Sequence, residues 1–109
     1  MTTLEALKYS VNYPLTDKQA LPILIGRGLS GSESFTQSIA QSKEYRLSYA
    51  DTLRFVLTMV NLSQSGTVSQ AAAAQIRGTA NAIYEEYGEP LIGDTADGVA
   101  IIHDISDKF

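Results

Sequence analysis

His103 is the only histidine in the 109 residues, and the chain has no cysteine. Multi-histidine metal sites, thiolate zinc sites and cysteine nucleophiles are thereby excluded, and a serine–histidine–aspartate triad would rest on this single imidazole. Asp94, Asp97 and Asp104 lie close to it and raise calcium as a possibility of chemistry. Their spacing lacks the alternate-position acids and closing glutamate of a calcium loop, so they are expected to be turn formers. Gly26-Arg27-Gly28 has the look of a phosphate-loop fragment, but no strand precedes it and no Walker lysine follows. The serines of the Ser30–Ser34 loop have no general base placed beside them. Glu85, Glu86 and Glu89 gather where the macrodipole of a helix C-terminus disfavours negative charge, which suggests a solvated face or, alternatively, a basic partner. Six tyrosines could stack bases or sugars, but at helical spacing (Tyr45 and Tyr49, one turn apart) they read as core-boundary residues. No catalytic residue, metal site or cofactor is expected.

The totals narrow the function classes further. Eight basic against twelve acidic residues give a net charge of −4, with no Lys/Arg run to grip phosphates, so a specific nucleic-acid binder is not expected. Apolar stretches are broken well short of the roughly 18 residues a membrane helix needs. The first residues lack a basic segment followed by an apolar core, so no signal peptide is expected. Asn61-Leu62-Ser63 is then a chance glycosylation sequon. At 44% hydrophobic residues the chain carries enough apolar surface for one folded domain.

The elements that must position these groups are helices. Ser42–Leu62 places Tyr45, Tyr49, Ala50, Leu53, Val56, Leu57 and Val60 on one face and Lys43, Glu44, Ser48, Asp51, Arg54 and Thr58 on the other. Phe55 and Met59 widen the apolar arc, as expected of a long central helix (about 43–61) packed on more than one side. Thr2 with Glu5, and Thr16 with Gln19, have the spacing of capping boxes that open two earlier helices. The first ends at Asn12-Tyr13-Pro14. In the second, Pro22 leaves two options: an interior proline in a helix from Asp17, or a turn over Thr16–Ala20 and a helix starting near Pro22, the less costly of the two. Gly26 or Gly28 ends it. Residues 34–42 form either a separate short helix or the front of the central one.

Ser69 is placed to cap a last helix, Gln70 to Tyr87, which Gly88 and Pro90 terminate. Its core stripe is Ala72, Ala73, Ile76, Ala80, Ile83, Tyr84 and Tyr87. Opposite runs a stripe of small residues, Ala71, Ala74, Gly78 and Ala82. These are either exposed alanines chosen for helix propensity or a close helix–helix approach, and mid-helix Gly78 favours the second. After Pro90 a turn-rich stretch leads to a β-prone segment containing Val99, Ile101, Ile102 and Ile105. A lone strand has no partner in its own chain, so the segment must pair with something else, lie as an ordered arm or form a last short helix. The expected architecture is all-α: a helical domain over 1–90, a compact bundle of about four helices, and a C-terminal arm over 91–109, extended or in a short strand. The expected subunit-interface residues are Ala71, Ala74, Gly78, Ala82, Val99, Ile101, Ile102 and Ile105.

Thr3-Leu4-Glu5-Ala6-Leu7, Leu24-Ile25-Gly26-Arg27-Gly28-Leu29, Ala50-Asp51-Thr52-Leu53 and Ala82-Ile83-Tyr84-Glu85-Glu86-Tyr87-Gly88-Glu89 together resemble the small head–tail connector (head-completion, adaptor) proteins of tailed phages and prophages. The resemblance covers residues 1–90. It implies a non-enzymatic subunit, made in the bacterial cytoplasm and built into the virion. Such a subunit forms a ring under the portal, with itself and with portal and tail proteins as partners. It would line a DNA channel without gripping it, and no membrane is involved. The alternative is a small cytoplasmic bacterial adaptor or regulatory domain that binds one protein partner through Asn61–Ser69 or the C-terminal arm.

Overall fold

A computed structural model describes residues 1–11, 13–63 and 70–93. Five helices follow one another: α1 (Thr3–Tyr9), α2 (Asp17–Gly26), α3 (Gln37–Ala40), α4 (Lys43–Ser63) and α5 (Gln70–Glu86). Among the described residues the only extended pairing is an isolated antiparallel bridge between Thr2 and Ser34. The fold is all-α, as the helical periodicity predicts, with α3 a single turn added to the four longer helices.

Both capping boxes form. In α1 the Thr2 hydroxyl accepts from the Glu5 amide (3.2 Å) and the Glu5 carboxylate accepts from the Thr2 amide (2.8 Å). The next free amides of this helix start, those of Thr3 and Leu4, donate to the carbonyls of Glu33 and Gly31. The 31–35 loop is thus tied to the first turn of α1, and Thr3, Ala6 and Leu7 turn inward. Thr16 and Gln19 repeat the box at α2, and the helix does begin at Asp17 with Pro22 in its interior. The turn followed by a helix from Pro22, which looked less costly, is not what forms. Pro22 lies on the exposed side with Lys18, whose carbonyl loses its donor where water is at hand, while Ala20 and Leu24 are fully buried on the other side.

The 34–42 alternative resolves as a separate helix. Thr36 caps α3, and Ser42 both stops it and starts α4: its hydroxyl donates to the Ile39 carbonyl (2.7 Å) and accepts from the Tyr45 amide (3.2 Å). α4 runs to Ser63 and packs against α2, α3 and, most extensively, α5. One apolar cluster joins Val11, Leu15, Leu47, Ala50 and Leu53 to Ala80, Ile83 and Tyr84 of α5. A second joins Leu7, Ala20, Leu24 and Tyr45, and Tyr49 touches both. Burial on two sides explains two residues the helical wheel misplaced or left out. Ser48, read as part of the polar face, and Thr52 are both fully buried. Their hydroxyls donate to the carbonyls of Glu44 and Ser48, each at 2.8 Å, so neither is buried without a partner.

α2 and α5 end in the same way. Gly28 (φ 95°) lets the Leu29 amide reach the Leu24 carbonyl, and Gly88 (φ 71°) lets the Glu89 amide reach the Tyr84 carbonyl. These two Schellman turns put Arg27 and Glu89, the residues at the two helix ends, in the same place beside the middle of α4.

Candidate functional site

The polar groups that converge there are Arg27, Asp51, Tyr84 and Glu89. Arg27 donates from Nε to Asp51 Oδ2 at 2.7 Å and from Nη2 to Asp51 Oδ1 at 3.0 Å, the two-pronged geometry that guanidinium and carboxylate favour. Tyr84 donates from its hydroxyl to Asp51 Oδ1 at 2.6 Å. The other edge of the guanidinium faces Glu89 at 3.4 Å. Arg54 stands over the Tyr84 ring, 5.9 Å from its centroid.

Tyr84 is 1% exposed, while Arg27 and Asp51 keep about a quarter of their side chains in water, at 22% and 24%. Burial, and then the bond to Asp51, pushes the Tyr84 phenol well above its ordinary range. Hydrogen bonding to Asp51 likewise holds Arg27 more firmly protonated than usual.

These groups satisfy one another. Asp51 accepts three bonds on its two oxygens and is poorly placed to serve as a general base. Arg27 spends both edges on carboxylates of its own chain and offers no fork to a phosphate, in keeping with the rejected phosphate-loop reading of Gly26-Arg27-Gly28. Among the described residues no three His, Cys, Asp or Glu side chains come together to hold a metal ion. The cluster is a clasp: it joins the end of α2, the middle of α4 and the end of α5 by directional bonds that an apolar contact would lack.

A second clasp closes the other flank of the α4–α5 pair. Arg46 pairs with Glu86 at 2.9 Å, and Lys43 and Arg46 both stand over the Tyr87 ring, at 5.9 and 5.8 Å. Glu85 and Glu86 are exposed and Glu89 is half-buried, in line with a solvated face, and two of the three also have a cation beside them. Glu86 and Glu89 are each paired with an arginine of the same chain. This also answers why acids are tolerated at a helix C-terminus: nearby cations outweigh the dipole.

The expected interface residues divide in two. Ala74, Gly78 and Ala82 are exposed along the outer side of α5, and a Cβ built on Gly78 would have open space around it. The side chain of Ala71, and Val99, Ile101, Ile102 and Ile105, lie outside the described residues. So do His103, Asp94, Asp97, Asp104, the Ser69 cap and most of the 91–109 arm. Sequence reasoning did not anticipate the clasp. Asp51 sits one position off the apolar stripe, which was its only local signal, and its partners are 24 and 33 positions away along the chain.

Helices joined by such clasps make up an all-α fold. The family model of DUF6706, a family of unknown function, matches residues 1–109, and the chain belongs to that family. No curated protein and no solved structure matches it. Among the described residues no helix is long and apolar enough to cross a membrane.

Proposed function

We propose that this chain is a non-enzymatic structural subunit of a phage or prophage head–tail junction, a connector that joins copies of itself in a ring under the portal. One observation carries the reading: Gly78 lies in the middle of α5 between exposed Ala74 and Ala82, and a Cβ added there would meet nothing among the described residues. A mid-helix glycine costs about 1 kcal/mol relative to alanine, and the described residues offer no packing reason for it. Close approach by another helix or backbone would supply one. The resemblance of residues 1–90 to connector proteins supports the same reading. So does the balance of −4, because acidic walls would let DNA pass where basic walls would hold it.

A specific observation favours the adaptor as a second reading. Ile25 is 58% exposed and follows exposed Pro22 on the outer side of α2, an apolar ridge suited to one protein partner. The genes encoded beside this one separate the two. Portal, capsid and tail genes are expected; housekeeping neighbours would end the connector reading and leave the adaptor.

A further inference from the structure

Beyond Tyr87 the chain turns back along α5. The Glu89 amide bonds the Tyr84 carbonyl at 2.8 Å, and Ile92 then lies beside Asn81, about 7.5 Å back from the helix end (Glu86) at 1.5 Å per residue. There the Asn81 side chain reads the backbone of Ile92 from both sides. Its Nδ2 donates to the Ile92 carbonyl at 2.9 Å, and its Oδ1 accepts from the Ile92 amide at 2.7 Å. Together they form the closed ring by which two strands exchange both bonds, with a carboxamide standing in for the second strand. No other side chain of similar length carries one donor and one acceptor in this arrangement: aspartate lacks the donor and leucine lacks both.

Among the described residues the rest of the segment is held at few points. The Ile92 side chain packs on the α4–α5 core cluster, and the Glu89 carboxylate faces Arg27 at 3.4 Å. Between them, Pro90 has no amide to donate, and Leu91 is 48% exposed. Glu89 is still held by the helix end and by Arg27. Among the described residues the stretch from Pro90 on is fixed by one two-point hydrogen bond and one apolar side chain, and local opening begins at such places.

We propose that residues 90–93 form a strap with Asn81 as its catch, opening and closing on α5 without unfolding the helices. In the closed state the catch holds the Ile92 backbone against Asn81 and seats the Ile92 side chain on the α4–α5 core. In the open state it uncovers the seat of Ile92 on the α4–α5 core. The strap stands independently of what the chain assembles with.

The test uses the full chain, which has no cysteine of its own. Ile92→Cys introduces a single thiol and keeps the backbone that Asn81 holds. Its labelling rate by a small thiol reagent is measured with Asn81 intact and with Asn81→Ala, with Leu91→Cys as the exposed reference. Two net hydrogen bonds of ordinary strength predict labelling about 30-fold faster without the catch, with helical content and thermal midpoint nearly unchanged. In the otherwise unaltered protein, the Ile92 amide should exchange with deuterium more slowly than a free amide yet faster than the Ile83 and Tyr84 amides of α5. Three results would overturn the strap. In one, labelling is equal with and without Asn81. In another, Ile92→Cys is as reactive as Leu91→Cys while Asn81 is intact. In the third, labelling rises only together with loss of helix.

Discussion

Replacing Asp51 by alanine removes the acceptor on which Arg27 and Tyr84 both converge. Three effects follow, and their sizes decide the outcome. The Tyr84 hydroxyl, on a residue 1% exposed, is left without its partner, and an orphaned buried hydroxyl costs about 1–3 kcal/mol. Arg27 loses a two-pronged partner but keeps Glu89 and some water, so its share is nearer 1 kcal/mol than the 3–5 kcal/mol of a fully buried broken pair. Against these, alanine is the better helix former by about 0.6 kcal/mol. The net expectation is a loss of about 2–3 kcal/mol, read by urea denaturation of the full chain followed by circular dichroism, with the slope unchanged. A double-mutant cycle sharpens it. Tyr84→Phe removes the hydroxyl that Asp51→Ala would orphan, so the double variant should be more stable than the sum of the singles implies, by about 1–2 kcal/mol. A loss below about 0.5 kcal/mol for Asp51→Ala, the usual range for surface changes, or strict additivity in the cycle, would refute the clasp.

Two further expectations come from the same geometry. Burial first raises the phenols of both Tyr84 and Tyr45, and Lys8 is raised by its bond to Asp17. Groups whose folded-state pKa is raised contribute stability that is complete below their ordinary values, which begin at 10.0, and is lost as pH climbs through the raised ones. Stability should therefore fall on the alkaline side above about pH 10, and Tyr84→Phe should flatten that limb; denaturation midpoints across the alkaline range check both. Gly78→Ala, which fills open space on α5, should raise the thermal stability of the isolated subunit by about 1 kcal/mol, and a destabilised variant would place Gly78 against something in its own fold.

Local chemistry made the ends of most elements legible. Thr2 with Glu5, Thr16 with Gln19, and the glycines at 28 and 88 act within a few residues, and each behaves as its type and spacing require. The long amphipathic run of α4 was legible too, because a 3.6-residue period over five turns has no competing reading. Pro22 sits inside α2 because it lies on the exposed side, where water replaces the bond it removes, and exposure is a property of the packing that the local sequence does not show. Ser42 was not recognised as a stop because its hydroxyl serves two helices at once. The clasp was invisible for a different reason: Arg27 and Glu89 are 62 positions apart, and only two helix-ending turns bring them together. Asn81 shows the same limit, since nothing in its neighbourhood announces that Ile92 returns to it.

Sedimentation velocity of the full chain over a wide concentration range, with and without Gly78→Leu, tests the architectural reading most directly. The unaltered chain should shift to larger species as concentration rises, and Gly78→Leu should stay a folded monomer with its thermal midpoint intact. A chain that remains monomeric throughout, or a variant that assembles like the original, would contradict the proposal that α5 meets another copy along Ala74, Gly78 and Ala82.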